Sequence, residues 1–332
     1  MVLDVIGFGK PCVDLIVKVE HLPKDDESLP MQDYTLQGGG KVATALVTAA
    51  RLGCKAGFIG KVGGDSFGDF IIQDFIKHGI DVSQLTREEG KTSPFSVVIS
   101  NTAGQGRSII WEKGTVTATT WEEIDKAYLK ETMYVHLAGS SELEQNIART
   151  AKRNGSRVVY DADFYEPTVE EILPWIDVLI SSQEFADAYA RTQLSTVRDY
   201  LKVAKDLSKY GPEIVVITLG KKGAVGFNQG KTLYQEAFKV PVVDTTGAGD
   251  VFHGAFIVGL WQKLSVEDCL KFSSAVAALK TMAIGGRAGI PTLSDVNNFL
   301  RTGQPVVKDM PQRIDDYKKG LHYFSKRGLI AP

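Results

Sequence analysis

The sequence predicts an α/β protein with a mostly parallel central sheet and a second, smaller sheet. Three observations carry this. From residue 132 onward, strand-like and helix-like segments alternate: 134–137, 142–153, 158–161, 178–180, 184–191, 197–207 and 214–218. Such alternation implies βαβ units and parallel strands. Residues 247–260 carry one formally charged side chain, Asp250, with apolar residues on every side. A helix apolar all round is a buried helix. In the first third, segments at 13–20, 31–35 and 91–111 could pair among themselves as a small separate sheet.

Residues 2–9 are an apolar run ending in Gly-Phe-Gly, the pattern of a buried central strand. In the next strand Val13, Leu15, Val17 and Val19 alternate with Asp14, Ile16, Lys18 and Glu20. That period of two predicts one covered and one more polar face. Asp14 stands on the polar face, where by itself it reads as a solvated edge acid. Gln37-Gly-Gly-Gly-Lys-Val-Ala-Thr-Ala45 leads into a helix that runs to Leu52-Gly53. A glycine-rich turn before a helix suits close ligand approach. It is not a Walker A loop, because no Gly-Lys-Ser/Thr follows at the required spacing. The stretch 58–69 reads as strand, glycine-rich turn and helix start, with Asp65-Ser66 as cap. Residues 91–111 read as a hairpin with its turn at Gly104-Gln-Gly106.

Further on, residues 215–220 are a strand ending in Thr-Leu-Gly, and a hairpin opens at Lys221. Val242 and Val243 are expected to end a short strand, and residues 244–246 to turn the chain into the buried helix. A second long helix, 266–282, is rich in small residues. Gly285-Gly-Arg-Ala-Gly-Ile-Pro291 makes another turn, and residues 302–332 form a polar, mixed-charge tail.

Composition narrows the function. With 332 residues, 43% hydrophobic and 23% charged, the chain suits one large soluble domain. A formal net charge of -2 argues against a nucleic-acid binder. No apolar run reaches the ~18 residues of a membrane span, and the N-terminus lacks a signal-peptide pattern. Cys12, Cys54 and Cys269 are far apart without metal-ligand spacing, so free thiols in a reducing cytoplasm are expected. No Gly-x-Ser-x-Gly elbow points to a hydrolase.

The chemistry converges on Asp244-Thr-Thr-Gly-Ala-Gly-Asp250. A buried helix start presents unpaired N–H groups in a dry place, which attracts anions. Asp250, in the first turn, has two readings on the motif alone. It complements the helix dipole, or it accepts a proton from an attacking hydroxyl in phosphoryl transfer.

This motif and its flanks resemble the signature of the ribokinase-like (PfkB-like) carbohydrate kinases, and the resemblance runs from about residue 2 to 292. It implies a three-layer α/β/α fold with a small β-sheet lid. It also implies a kinase domain at 1–301 with lid segments at about 11–36 and 91–113. The tail, 302–332, lies beyond the match and is expected to be helical or partly ordered. The implied activity is transfer of the ATP γ-phosphoryl group to a primary hydroxyl of a sugar or sugar derivative. Asp250 would be the base, and the amides of Gly247, Ala248 and Gly249 the anion hole. Asp14, Gly39, Gly40, Lys41 and Thr44 would hold the sugar, although family members often have asparagine at the position of Thr44. Ser181, Thr218, Gly220, Gly249 and Ser274 would meet the nucleotide, with Ser181 and Ser274 again standing where asparagine is common. Glu184 would hold Mg²⁺ through water. Carbonyls around Asp244, Thr246, Gly285 and Gly289 would hold a monovalent cation, implying potassium activation. Arg287 would contact phosphate or be a plain surface arginine, and the lid would mediate a homodimer. The nucleotide-side residues look most like a branch that includes sulfofructose kinases, yet no basic cluster for a sulfonate is evident near the lid. A nucleoside kinase and a non-catalytic sugar- or nucleotide-binding sensor are the alternatives.

Overall fold

The computed structural model describes residues 2–101 and 106–326, so most of the expected turn at Gly104-Gln-Gly106 lies outside the described residues. The chain opens with β1 (Leu3–Phe8), β2 (Cys12–Val19), β3 (Asp33–Gly39), α1 (Lys41–Arg51), β4 (Ala56–Gly63), α2 (Ser66–Lys77) and β5 (Asp81–Glu88). The β6–β7 hairpin (Phe95–Asn101, Arg107–Glu112) follows. Next come β8 (Thr132–Leu137), α3 (Glu142–Arg153), β9 (Arg157–Ala162), a short α4 (Val169–Ile172), β10 (Val178–Ser182), α5 (Gln183–Tyr189), α6 (Val197–Leu207) and β11 (Ile214–Thr218). The chain closes with the hairpin β12–β13 (Ala224–Asn228, Lys231–Gln235), α7 (Ala248–Trp261), α8 (Val266–Lys280), α9 (Leu293–Thr302) and α10 (Met310–Lys326).

Among the described residues, nine strands form the main sheet in the order β13-β12-β11-β10-β9-β8-β1-β4-β5. Neighbours from β5 to β11 pair parallel, and the β12–β13 hairpin closes one edge antiparallel. Successive strand residues feed opposite cores, as the pleat requires. Tyr134, Val159 and Val216 pack with α7 and α8. Val135, Val158 and Val215 pack on the other face with residues of α3, α5 and α6. The result is three layers, with the carboxyl ends of the parallel strands along one rim.

The small sheet has the order β3-β2-β6-β7. β2 pairs parallel with β6 and antiparallel with β3. The alternation expected in β2 is interrupted. Ile16, assigned to the polar face, is fully buried in a satellite cluster with Val98 and Ile284. That face looks toward the Gly285 turn instead of solvent. β5, which the pattern did not reveal, is an edge strand of half-buried and exposed residues with little periodicity.

Two other expectations change. Val242 and Val243 form no strand and are 60% and 37% exposed. No strand lies beside them; instead the Val243 and Asp244 amides donate to the Thr281 carbonyl at the end of α8. Within the tail, α10 (Met310–Lys326) is more than a surface helix. Arg313 and Tyr317 are buried. The Tyr317 hydroxyl donates to Asp74 Oδ1 at 2.9 Å, and Arg313 Nη1 donates to the Ile290 carbonyl at 2.6 Å.

Arg287 is neither a surface arginine nor open to a phosphate. It is fully buried, ion-paired with Asp74, and donates to the Gly39 carbonyl at 3.0 Å. Beside it, Gln37 Oε1 accepts from the amides of Arg287 and Ala288, and its Nε2 donates to the Ile284 carbonyl at 2.8 Å. A Cβ on Gly38 would overlap the Arg287 guanidinium, and one on Gly285 would overlap the Gln37 amide. The two glycine-rich turns, 37–40 and 285–289, are thus clamped together, with α10 behind the clamp. No described helix is long and apolar enough to cross a membrane.

Helix α7 crosses α1 closely, because a Cβ on Gly254 would overlap the Ala45 carbonyl. Alanine normally favours a helix over glycine. Here Gly254→Ala is expected to destabilise by about 1–3 kcal/mol, the cost of overpacking. Denaturant titration reads this; an unchanged or raised midpoint would show that the two helices can separate without loss.

Candidate active site

The sides of α7 are buried from Val251 to Leu260, whereas its first turn comes to the surface, half-buried at Ala248 and Asp250 and exposed at Gly249. Its N-cap, Gly247, has φ 72° and ψ 7°, in the left-handed region where glycine has no Cβ penalty. A Cβ there would stand 3.0 Å from Gly286 Cα, so the Gly285 turn forms one wall. The Ala248 amide donates to the Thr245 carbonyl at 3.1 Å. Among the described residues, the Gly249 and Asp250 amides have no backbone acceptor. Nothing would lie within 4 Å of a Cβ on Gly249, so the helix end is open on that side. Of the expected set of Gly247, Ala248 and Gly249, the Ala248 amide is engaged by the Thr245 carbonyl, and the Asp250 amide joins the donors without a backbone acceptor among the described residues.

Burial pushes the Asp250 carboxyl up to about 7; Asp161 and Asp163 add to the rise, and Lys41 and Arg107 oppose it. Asp161, at the end of β9, is raised in the same direction, by burial first and then by Asp163. Neither Asp161 oxygen has a hydrogen-bond partner among the described residues. Beside Asp161 lie His136 from β8 and His253 from the next turn of α7, with His253 Nε2 3.6 Å from Asp161 Oδ1. His136 Nδ1 faces the Val159 carbonyl at 3.1 Å, leaving Nε2 without a partner. Burial lowers both imidazoles, to about 3 for His136 and about 4 for His253, so both are neutral at physiological pH. One ligand atom from each of the three residues lies within 4.8 Å of the others, a donor set that could hold a small cation or a bridging water.

Across from Asp250, Lys41 begins α1 and pairs with Asp163 at 2.7 Å, its Nζ lying 5.5 Å from the Phe164 ring centroid. Asp14 lies under the Gly38–Gly39 backbone. Its Oδ1 accepts from Ser96 Oγ at 2.5 Å and Cys12 Sγ at 3.3 Å, and a Cβ on Gly39 would overlap its carboxylate. Asp14, Gly39, Gly40 and Lys41 therefore share one rim. Thr44 does not open onto it: it is buried in α1, with its hydroxyl toward Gly286.

On the opposite side, Ser181 is buried, and its hydroxyl faces the Val216 carbonyl inside the sheet at 3.5 Å. Its neighbour Ser182 caps α5, accepting from the Phe185 amide at 3.0 Å and donating to the Asp163 carbonyl. Glu184 is exposed in the first turn of α5. Thr218 ends β11 and donates to the Ser181 carbonyl at 3.2 Å. Gly220 follows with φ 53° and open space where a Cβ would stand. Ser274 is buried on α8.

Of the four residues expected to hold a monovalent cation, Asp244 and Thr246 offer their carbonyls to a lysine. Lys280, fully buried in the last turn of α8, donates Nζ–H to the Asp244 carbonyl at 3.2 Å and also to the Thr246 carbonyl. Burial lowers its ammonium to about 8, while Asp244 opposes the shift. The Asp244 carboxylate accepts from the amides of Thr246 and Gly285 and from Thr246 Oγ1. Lys280 escaped the sequence reading because a lysine in the last turn of a helix is the ordinary dipole partner.

A cavity of about 900 Å³ adjoins the site through Gly40 and Lys41. Neither Asp250 nor Asp14 lines it. Four lysines do: Lys10 after β1, Lys41, Lys61 and Lys113 after β7. Lys61 is neutralised by Glu88 and Glu123. No partner is found for Lys10 or Lys113 among the described residues. The basic cluster that the sequence did not show is therefore assembled from four separated positions.

The model of the pfkB family of carbohydrate kinases matches residues 3–293. The chain belongs to that family. Its reaction is phosphoryl transfer to a sugar hydroxyl. A ribokinase of Haemophilus influenzae is 29% identical over 304 residues, 88% of this chain and 97% of that protein. A 5-dehydro-2-deoxygluconokinase of Clostridium botulinum is 30% identical over 321 residues, 90% of this chain and 93% of that one. The structure of Arabidopsis thaliana ribokinase complexed with ribose and ATP superposes with a TM-score of 0.77 at 25% identity, covering 91% of this chain and 99% of that one. The ribokinase-like fold expected from the motifs is thus the observed one.

The raised Asp250 carboxyl has a measurable cost to this kinase. An unfolded aspartate titrates near ~3.9, so the native state holds the proton more tightly. That contribution is fully present below about pH 4 and is lost as pH rises to about 7. Asp250→Asn removes the loss, worth up to roughly 4 kcal/mol at about 1.4 kcal/mol per pH unit. The variant is expected to melt above the wild type at pH 8, with the gap narrowing toward pH 5. Thermal melts across that range test it, and an equal or lower Tm at pH 8 would mean that the carboxylate is compensated.

Proposed function

We propose that this carbohydrate kinase moves the γ-phosphoryl group of ATP to a primary hydroxyl of a sugar that carries an anionic group, such as a sugar acid. The observation that carries the reading is Asp250, a half-buried carboxylate beside two open amides at the start of α7. The acceptor hydroxyl approaches Asp250 from the rim made by Asp14, Gly39 and Gly40. As its oxygen bonds the γ-phosphorus, the bond to the leaving nucleotide oxygen breaks, and the hydroxyl proton passes to an Asp250 oxygen. The Gly249 and Asp250 amides face the charge on the transferring group. Thr218 and Gly220 border the nucleotide, with the flat α8 surface at Ser274 as a further wall. The exposed Glu184 carboxylate is suited to hold Mg²⁺ through water. That ion would neutralise phosphate charge.

Lys10 and Lys113 support an anionic acceptor, and so does the name of the relatives called 5-dehydro-2-deoxygluconokinase. A nucleoside would favour an aromatic-lined pocket, whereas the cavity wall is mainly lysine, glycine and threonine. The carboxylate beside an open helix end weighs against a non-catalytic sensor.

ADP release with Mg-ATP should be strong with 5-dehydro-2-deoxygluconate or a related sugar acid and weaker with D-ribose. Asp250→Asn should lower kcat by about 10²–10⁴, the usual share of a positioned base. Near-normal turnover in that variant would remove Asp250 from the base role. A preference for ribose would remove the anionic acceptor and leave the base standing.

The small sheet is also our candidate for a homodimer contact. Its edge strand β7 leaves Ile109, Ile110 and Trp111 at least half exposed, and an exposed apolar edge invites pairing. Sedimentation should give a dimer for the wild type and a monomer for Ile110→Lys. A wild-type monomer at micromolar concentration would refute the contact.

A further inference from the structure

We propose that the Lys280 ammonium replaces the monovalent cation expected at Asp244 and Thr246, so that this kinase works without potassium. Lys280 Nζ donates to two of the main-chain carbonyls expected to hold that ion, those of Asp244 and Thr246. The side chain is fully buried, so the nitrogen has no alternative place in solvent. Its reach is fixed from behind. Lys280 ends α8, and the next residue, Thr281, accepts the Val243 and Asp244 amides on its carbonyl. The other side is closed as well: the Gly285 amide donates to Asp244 Oδ2 at 2.8 Å, and a Cβ on Gly289 would overlap the Lys280 carbonyl.

A potassium ion on the same two oxygens would therefore stand within a few ångströms of Nζ. Repulsion between unit charges about 4 Å apart, at an effective dielectric near 20, lowers ion affinity on the order of a thousandfold. The residues present do not fit a mobile ion while Lys280 is charged.

The tethered charge acts on the same element that an ion would. The carbonyls it holds belong to residues 244–246, which lead directly into the Gly247 cap and the open amides of Gly249 and Asp250. Lys280 is thus a positioning residue for the helix start. In contrast to a bound ion, it supplies the charge at any potassium concentration.

The inference rests on the kinase reading for its rate arm alone; an ion-binding arm stands without it. Both arms use the full chain in potassium, sodium or tetramethylammonium chloride at equal ionic strength. D-ribose and 5-dehydro-2-deoxygluconate serve as acceptor probes. The wild type should show rates and melting temperatures that agree among the three salts, rates within about twofold. Lys280→Ala vacates the two carbonyls. It should lose about a hundredfold in kcat in tetramethylammonium and regain at least about tenfold in potassium, with a melting temperature raised by potassium and not by tetramethylammonium. Lys280→Arg keeps a charge near the carbonyls and should stay insensitive to potassium. Wild type activated more than about tenfold by potassium, or selectively stabilised by it, would overturn the proposal. So would a Lys280→Ala enzyme that is equally impaired in every salt. If Lys280→Ala does not fold, the wild-type comparison still decides. If no acceptor is turned over, the melting arm decides, and the fault lies with the kinase reading.

Discussion

A helix that is apolar on every side is buried along its length, and the candidate site is organised around the N-terminal end of α7, which comes out of the core: Val251 to Leu260 are buried, whereas Gly247, Ala248 and Asp250 are half-buried and Gly249 is exposed. No serine or threonine side chain caps the first-turn amides, because the N-cap is Gly247. Uncapped donors at a helix start attract something negative. The fold leaves those donors open and places a carboxylate, Asp250, one step away. An open helix start with a carboxylate beside it is the arrangement that the proposed phosphoryl transfer would use.

Everything around that ending holds it still. The 37–40 turn and the 285–289 turn come from opposite ends of the chain, yet they are joined by Gln37, which satisfies backbone groups of the second turn, and by Arg287, which satisfies a carbonyl of the first. Arg287 in turn needs a buried anion, and Asp74 from α2 supplies it. Tyr317 and His78 meet at 2.8 Å beside Asp74, and Arg313 closes the far side of the 285–290 segment through the Ile290 and Arg287 carbonyls. Helix α10, which begins beyond the region matched by the family model, is therefore part of the mounting of the rim. Breaking one member of such a buried ionic network costs more than the pair is worth, because the partner is left uncompensated.

What could be read from the sequence was local. The glycine-acid start of α7, the apolar run behind it, and the helix and strand alternation after residue 132 are all visible within a window of some fifteen residues. Helices 142–153 and 197–207 and strand 214–218 have their expected bounds. What could not be read depends on partners far away. Arg287 meets Asp74 across 213 positions, and Lys280 meets Asp244 across 36. Neither residue has a neighbour in sequence that sets it apart from a surface cation. Ser181 occupies the expected strand end, but the pairing of β10 with β11 turns its hydroxyl inward, and one-residue differences of face are invisible without register. Val242 and Val243 are apolar enough for a strand and lack only a strand to pair with. The lysine cluster of the cavity fails to show for the same reason, since Lys10, Lys41, Lys61 and Lys113 are brought together by topology alone.

The distribution of buried charge separates scaffold from chemistry. Asp74 is matched by Arg287 and Asp244 by Lys280, and both carboxyls are held below the ordinary carboxylate range. Asp250 and Asp161 shift the other way. Burial raises both, Asp163 adds to both, Asp161 adds to the rise at Asp250, and the Asp161 oxygens lack a hydrogen bond among the described residues. Had the fold needed only to bury these side chains, a lysine or arginine could have met them, as happens twice nearby. A carboxylate whose charge is only partly met, here by Lys41, binds a proton well near neutral pH, and accepting a proton is the role proposed for Asp250. The site is thus marked less by its pocket than by the place where charge compensation stops.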